Sequence, residues 1–349
     1  MNEFYREFAA MSSRPVPSPA PLEPPFGDTL EALALQLKDE LAAVEVEIQK
    51  NLLSQVPSVT QIATHIVMSG GKRLRPILCI LAAQALDYRG PRVLSLATAI
   101  EFIHTATLLH DDVIDNAQLR RGRPSCNAIW DNKMSVLVGD FLYCQASSLI
   151  ARDGDLKVLR SITDATTSTT EGEVLEITKS RDLRLGEAEY FKIVEFKTGM
   201  LMACATQVGA IVAGATPAQE KALADYGMHL GIAFQLADDV LDYVSVEAEF
   251  GKEKGVDLKE GKITLPLLYA LERCTPAERE VIRDGTISAR RDSFMKVLEV
   301  LKKYGAIDYA LGLAARRSAD ARQSLAVLPE SPAKAALLKL GDYVIQRKK

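Results

Sequence analysis

From about residue 28 onward, apolar residues recur three and four positions apart, a spacing that predicts one helix after another. The run EALALQLKDELAAVEVEIQKNLL (31–53) is amphipathic, and further helices are predicted over 58–69, 73–88, 92–116, 128–151, 155–180, 187–213, 218–246, 263–273, 291–304, 306–327 and 332–347. Breaks fall at Gly70-Gly71, Gly90-Pro91, Arg123-Pro124, Pro217 and the glycine-rich stretch 251–261. No segment of useful length alternates apolar and polar residues, and no internal repeat is found. The expected fold is all-α, one domain over 28–349 built as a bundle of about 10–13 helices. Helices 92–116 and 218–246 are apolar around most of their circumference, which places both at the centre. Residues 12–27, SSRPVPSPAPLEPPFG, break the pattern, and 1–27 is read as a disordered Pro-rich tail.

Composition narrows the partners. With 42 basic against 46 acidic residues the formal charge is −4, so neither nucleic acid nor an anionic membrane is expected as the main partner. Any basic function must be local. The five cysteines (Cys79, Cys126, Cys144, Cys204, Cys274) are scattered singly without a CxxC pair, which reads as a reducing, cytoplasmic setting. MNEFYREFAAM has neither an apolar signal core nor an Arg-rich transit pattern. No window approaches the roughly 18 consecutive apolar residues of a membrane span, so no transmembrane segment is expected.

Against this background LLHDDVIDNAQLRRG (108–122) stands out. On a helix, residues four apart lie about 40° apart around the axis, so Asp111 and Asp115 share a face, with Asp112 inside the same arc. A helix C-terminus disfavours anions unless a cation is near. The preceding AIEFIHTATLL is too apolar for an exposed helix, and the same DDxxD spacing returns in FQLADDVLDYV (234–244) at Asp238, Asp239 and Asp242. Two facing helices with such clusters would gather hard oxygen ligands, an arrangement that suits Mg2+ shared between carboxylates and substrate phosphates. Basic residues mark where phosphates would go. GGKRLRP (70–76) holds Lys72, Arg73 and Arg75 but is not a Walker A loop. Arg120 and Arg121 follow the first cluster, and arginine forks bind phosphate oxygens in pairs. Lys197 and Thr198 in EFKTG interrupt an apolar helix, and GKEKGVDLKEGKITLP (251–266) supplies Lys252 and Lys262.

Taken in order, GGKRLRP, LLHDDVIDNAQLRRG, FKTG, FQLADDVLDY and GKEKGVDLKEGKITLP resemble the motif set of the trans-polyprenyl diphosphate synthases. EFIHTATLLHDDV and SVLVGDFLY are most similar to the bacterial long-chain group that makes octaprenyl to decaprenyl diphosphate for quinone side chains. The resemblance covers residue 30 to the C-terminus and implies helices around a central cavity, usually in a homodimer. It implies a 1′-4 condensation in which an allylic diphosphate, here farnesyl diphosphate, ionises, isopentenyl diphosphate attacks, and a proton leaves with the departing diphosphate. By resemblance, Asp111, Asp115 and Asp238 hold Mg2+, supported by Asp112, Asp239 and Asp242. The family pattern implies three ions per site, with Mn2+ as a substitute. Arg120, Lys197, Lys252 and Lys262 bind the allylic diphosphate; Lys72, Arg75, His104 and Arg121 bind isopentenyl diphosphate; Thr198 and Gln235 line the reacting centre. Product release to a membrane is compatible with this reading.

In this family bulky residues four and five positions before the first cluster stop chain growth, and here those positions are Thr107 and Ala106, both small. The helical wheel sets Thr107 and Ile103 near the Asp111 face, whereas the role of Ala106 follows from resemblance alone. A product of C40, within C35–C50, is expected. Shorter-chain synthases, a class I terpene cyclase and a non-catalytic partner subunit are the alternatives. The second DDxxD and GGKRLRP disfavour the cyclase, and the intact aspartates disfavour the degenerate subunit. A di-iron bundle, raised by the ExxH of Glu101 and His104, lacks the second ExxH it needs.

Overall fold

The computed structural model describes residues 37–68, 70–120, 122–244, 255–287 and 291–346. The tail expected over 1–27 and the start of the helix expected from residue 31 lie outside them. The described residues are all-α apart from a two-residue antiparallel ribbon, Leu119–Arg120 with Arg123–Pro124. Internal contacts divide the chain into two units, Met1–Ile80 with Arg89–Leu159 and Leu81–Tyr88 with Arg160–Lys349.

The first unit contains α1 (Lys38–Asn51), α2 (Pro57–Met68), the start of α3 (Leu74–Ala85), α4 (Arg92–Ile114), α5 (Cys126–Ile129) and α6 (Asn132–Asp153). Helix α4 is buried nearly all round, through Leu96, Ile100, Phe102 and Leu109 among others, as its lack of a polar stripe predicts. Helix α6 packs along it. Arg92 at the start of α4 bonds Asp153 (2.7 Å) and Asp155 (2.9 Å) at the far end of α6, pinning the two antiparallel. Close approach depends on Gly139 of the SVLVGDFLY run, where a Cβ would stand 2.3 Å from His110 Nε2. Asp131 caps α6 by accepting the Met134 N–H at 2.9 Å, and Gly154, at φ +75°, ends it.

The second unit contains α7 (Leu156–Lys179) from Arg160 onward, α8 (Glu187–Val194), a π-helical turn (Glu195–Gly199), α9 (Met200–Val212) and α10 (Pro217–Val244). It continues through α11 (Val256–Glu260), α12 (Leu265–Leu271), α13 (Pro276–Ile287), α14 (Arg291–Lys303), α15 (Ala306–Ser324) and α16 (Pro332–Gln346). Helix α10 lies at its centre between α9 and α15, in a core that includes Leu236, Val240, Tyr243, Leu265, Leu301 and Ala310. At Gly231 it meets the π turn backbone to backbone, since a Cβ there would lie 2.8 Å from Gly199 Cα.

Several expectations change, beginning with the number of helices, which is sixteen among the described residues against the 10–13 expected. The helix predicted over 187–213 carries a π turn in its middle. Helices α11, inside the stretch read as a break, and α13 are additional; the PAEREVIRDGTI of α13 buries only Ile282 among large apolar residues, so the period of α13 is faint. Its capping box is clear nonetheless: Thr275 N–H donates to Glu278 Oε2 (2.9 Å) and Glu278 N–H to Thr275 Oγ1 (3.3 Å). Finally, α4 and α6 are both long and apolar enough to cross a membrane, each with mean hydropathy 1.3. A search for consecutive apolar residues misses them because threonines, Glu101 and His104 in α4 and polar residues in α6 interrupt the runs. The α4 window is 67% buried within the protein, as befits a core helix.

Candidate active site

The first aspartate motif ends α4 through a Schellman closure. Asp115 is the last near-helical residue, and Asn116 follows at φ +50°, a left-handed position that asparagine tolerates. Asn116 N–H reaches Val113 O (3.3 Å) and Ala117 N–H reaches Asp112 O (2.9 Å). The chain then turns through the short ribbon, which brings Arg120 back to the helix it has just left. Its Nε donates to Asp112 Oδ1 at 2.7 Å, and Asp112 is completely buried. Arg120 is thus the cation that an acidic helix C-terminus requires. Asp111 and Asp115 stay partly exposed on the same turn.

A small cavity in this unit is lined by His65, Arg73, Glu101, His104, Arg120 and Ser125, among others. Burial draws the His65 imidazole below its ordinary range. Lys72 and Arg75, at the entrance to α3, are half-buried. Ile103 and Ala106 are buried in α4, whereas Thr107 is half-buried with its hydroxyl donated to His104 O (2.8 Å). Glu101, the acid of the ExxH, bonds Arg73 at 3.0 Å.

The second motif, in the other unit, repeats the division within its triplet. Asp238 is exposed, Asp239 is buried, and Asp242 is half-buried. Tyr190 Oη donates to Asp239 Oδ2 (2.5 Å) and Gln235 Nε2 donates to Oδ1 (2.8 Å). Gln235 Oε1 in turn accepts from Thr198 Oγ1 at 2.9 Å. Asp242 accepts the backbone N–H groups of Gly255 (3.1 Å), Val256 (3.3 Å) and Asp257 (3.2 Å), which fixes the entry to α11. The π turn EFKTG presents Lys197 and Thr198; π turns are rare and gather at functional positions. Lys197 Nζ lies 2.6 Å from both Glu173 and Glu176 of α7. Burial works against this ammonium, but Glu176 and Glu173 outweigh it and hold it above the usual lysine range. Lys262 Nζ meets Glu260 at 2.6 Å.

Negative charge is in excess here. Burial pushes the Asp239 carboxyl up to about 7, aided by Asp238 and Glu176 and opposed by its bonds from Tyr190 and Gln235. Burial, with Asp239 and Asp242 nearby, raises Asp257 well above the carboxylate range. Such an all-oxygen donor set fits Mg2+. Among the described residues no three His, Cys, Asp or Glu side chains close on one point. Mg2+ keeps several waters and is typically shared between a few carboxylates and substrate phosphates.

A family model described as polyprenyl synthetase matches residues 56–303. The chain belongs to that family. It is 43% identical over 309 residues to an octaprenyl diphosphate synthase from Haemophilus influenzae, covering 88% of this chain and 94% of the relative. It is 41% identical over 319 residues to the octaprenyl diphosphate synthase of Escherichia coli strain K12, covering 91% and 99%. Among solved structures, a decaprenyl diphosphate synthase from Rhodobacter capsulatus superposes with a TM-score of 0.87 at 39% identity, over 91% of this chain and 99% of that one. A polyprenyl synthase from Caulobacter crescentus CB15, complexed with calcium and isoprenyl diphosphate, also gives 0.87, at 40% identity over 94% and 100%.

For this polyprenyl synthetase chain, sequence reasoning named most polar groups around the two motifs but not Tyr190, Glu173, Glu176 or Asp257. Tyr190 lies 49 residues from its partner, and no local pattern announces such a bond. Glu173 and Glu176 share a face of α7 at a three-residue step, a signal visible only once Lys197 is known to lie beside them. Arg121 and Lys252 lie outside the described residues.

Proposed function

We propose that this chain is a long-chain trans-polyprenyl diphosphate synthase, a prenyltransferase that adds isopentenyl diphosphate units to an allylic diphosphate, beginning with farnesyl diphosphate. The product is octaprenyl diphosphate, within C35–C50, for quinone side chains. The observation that carries the proposal is the shared design of the two DDxxD motifs. In each, the middle aspartate is buried and bound to a protein donor, and the outer pair is left more accessible. The octaprenyl diphosphate synthase relatives, at 43% and 41% identity, support the product class.

In this reading Asp111, Asp115 and Asp238 hold Mg2+, as the calcium and isoprenyl diphosphate in the Caulobacter relative's structure encourage. Bound Mg2+ supplies Lewis-acid stabilisation of negative charge on the leaving diphosphate. Asp112 holds Arg120 in a fixed direction, so that its remaining N–H groups can meet diphosphate oxygens. Lys197 is kept charged by Glu173 and Glu176, and Lys262 and Lys252 add to the allylic diphosphate site. Lys72, Arg75, His104 and Arg121 receive isopentenyl diphosphate. Thr198 and Gln235, tied to Asp239, present fixed oxygen dipoles to the carbon that becomes cationic. The allylic C–O bond breaks, a C–C bond forms, and the departing diphosphate accepts the proton, so no protein base is required. Thr107, Ile103 and Ala106 border the growing chain. The enzyme works in the cytoplasm as a homodimer, which the exposed apolar side chains of α6, Val136, Leu137 and Tyr143, support.

Incubation of the full chain with labelled isopentenyl diphosphate, farnesyl diphosphate and Mg2+, followed by product sizing, tests the proposal. Long-chain products that vanish with EDTA are expected. A single condensation product, or elongation unaffected by chelation, overturns it.

A further inference from the structure

The GGKRLRP turn contains a third basic residue, Arg73, to which the reading above gives no part in binding either diphosphate. We propose that Arg73 is a positioning residue for the isopentenyl diphosphate subsite, its buried guanidinium locking Lys72 and Arg75 in place relative to His104; the inference rests on the prenyl-transfer reading above.

Four observations carry it. Arg73 has φ +46°, a left-handed conformation that a residue with a long side chain seldom adopts unless its surroundings impose it. Its side chain is only 7% exposed, in a turn where lysine and arginine would ordinarily face water. The guanidinium then makes four hydrogen bonds to three helices. Nε and Nη2 take the two oxygens of Glu45 on α1 (2.6 and 3.3 Å), Nη2 also meets Val67 O near the end of α2 (2.8 Å), and Nη1 meets Glu101 on α4 (3.0 Å). Lastly, Glu101 stands one turn before His104 on the same helix, and Arg73, Glu101 and His104 line one cavity.

The consequence is geometric. Lys72 precedes the anchored residue and Arg75 follows it by two, so the backbone carrying both cations is held to the helix carrying His104 through a single planar fork. With four of its five N–H donors directed at protein acceptors, Arg73 acts on the substrate through its neighbours. Lysine keeps the charge but not the fork, and it cannot reach Glu45, Glu101 and Val67 together. Glycine accepts the left-handed backbone freely and removes the tether, which separates backbone strain from side-chain anchoring.

Steady-state kinetics of Arg73→Lys, Arg73→Gly and Glu45→Gln, with melting curves in parallel, test the assignment. For the two Arg73 variants we expect the KM for isopentenyl diphosphate to rise about tenfold, with the allylic KM within about twofold and kcat at saturation within about threefold. Glu45→Gln is expected to give an intermediate rise. If the variants melt lower but keep the wild-type KM for isopentenyl diphosphate, Arg73 is only a stability element and the proposal is wrong. Should an Arg73 variant fail to fold, Glu45→Gln decides by the same criterion, since Glu45 is partly exposed, at 15%. A wild-type chain that does not elongate at all overturns the prenyl-transfer reading and this one together. Elongation by the wild type with an unchanged KM in the variants overturns this one alone.

Discussion

Asp112 and Asp239 hold the same place in their motifs, and both are buried and accept a short hydrogen bond, the first from Arg120 and the second from Tyr190. A buried carboxyl that loses a donor keeps its desolvation penalty, so Tyr190→Phe removes a buried hydrogen bond worth about 1–3 kcal/mol. We expect urea unfolding to show a loss of about 1–3 kcal/mol and elongation to fall about tenfold, because Gln235 and Thr198 depend on the same carboxylate. The outer aspartates differ in kind. Asp115→Ala and Asp238→Ala are expected to lower kcat by about 100- to 1,000-fold or more with little change in melting temperature, and Mg2+ titration of the residual activity checks whether metal affinity is what was lost. The proposed chain-length role also rests on single residues. Ala106 is 2% exposed, so a tyrosine there would overpack the core, whereas half-buried Thr107 has room to change. Thr107→Tyr is therefore the cleaner probe; it should shorten the product, and a product of unaltered length would remove Thr107 from the floor of the chain site.

Between elements, contacts too close for any side chain fix how helices lie. Gly139→Ala would drive a Cβ into the His110 ring, costing about 1–3 kcal/mol in a melt, and His110→Ala in the same chain should restore most of it. At the other end of the chain, Glu278 of α13 accepts from Lys303 and Tyr304 at the end of α14 and from Thr275 in its own cap. Its carboxyl falls to about 2, chiefly through Lys303, then the Thr275 N–H and Tyr304. A carboxyl depressed in the folded state stabilises the protein above its ordinary value of 4.5, and that contribution fades as pH falls toward 2. The urea midpoint of the wild type should accordingly drop more steeply over this acid range than that of Glu278→Gln; parallel curves would show that the contact adds nothing. Helix α13 also illustrates what apolar period alone overlooks, since Thr275-Pro276 and Glu278 announce its start while a single large buried residue, Ile282, anchors it. The π turn at Glu195–Gly199 had a fainter trace still: polar Lys197 and Thr198 in an apolar run show that something happens there, but not that the helix widens.

For the whole molecule, the exposed apolar residues of α6 matter most. Val136, Leu137 and Tyr143 are 39%, 61% and 45% exposed, and together they leave an apolar face on a helix otherwise packed along the core. Exposed apolar side chains gathered on one helix can mark an interaction face. If a second copy covers it, Leu137→Glu should convert a dimer into a monomer in light scattering without unfolding it, and an unchanged mass would exclude this face from the interface.

Periodicity placed nearly every helix, and the duplicated DDxxD spacing located both carboxylate clusters. These features are legible because they depend on residues a few positions apart on one helix, where geometry follows from the repeat itself. Which aspartate of each triplet is buried, that Arg120 folds back onto Asp112, that Tyr190 reaches Asp239, and that Arg73 is enclosed by Glu45, Glu101 and Val67 were decided only by tertiary structure. Burial and hydrogen-bond partnership depend on which distant segments arrive beside a side chain and displace its water, and no local spacing encodes that arrival.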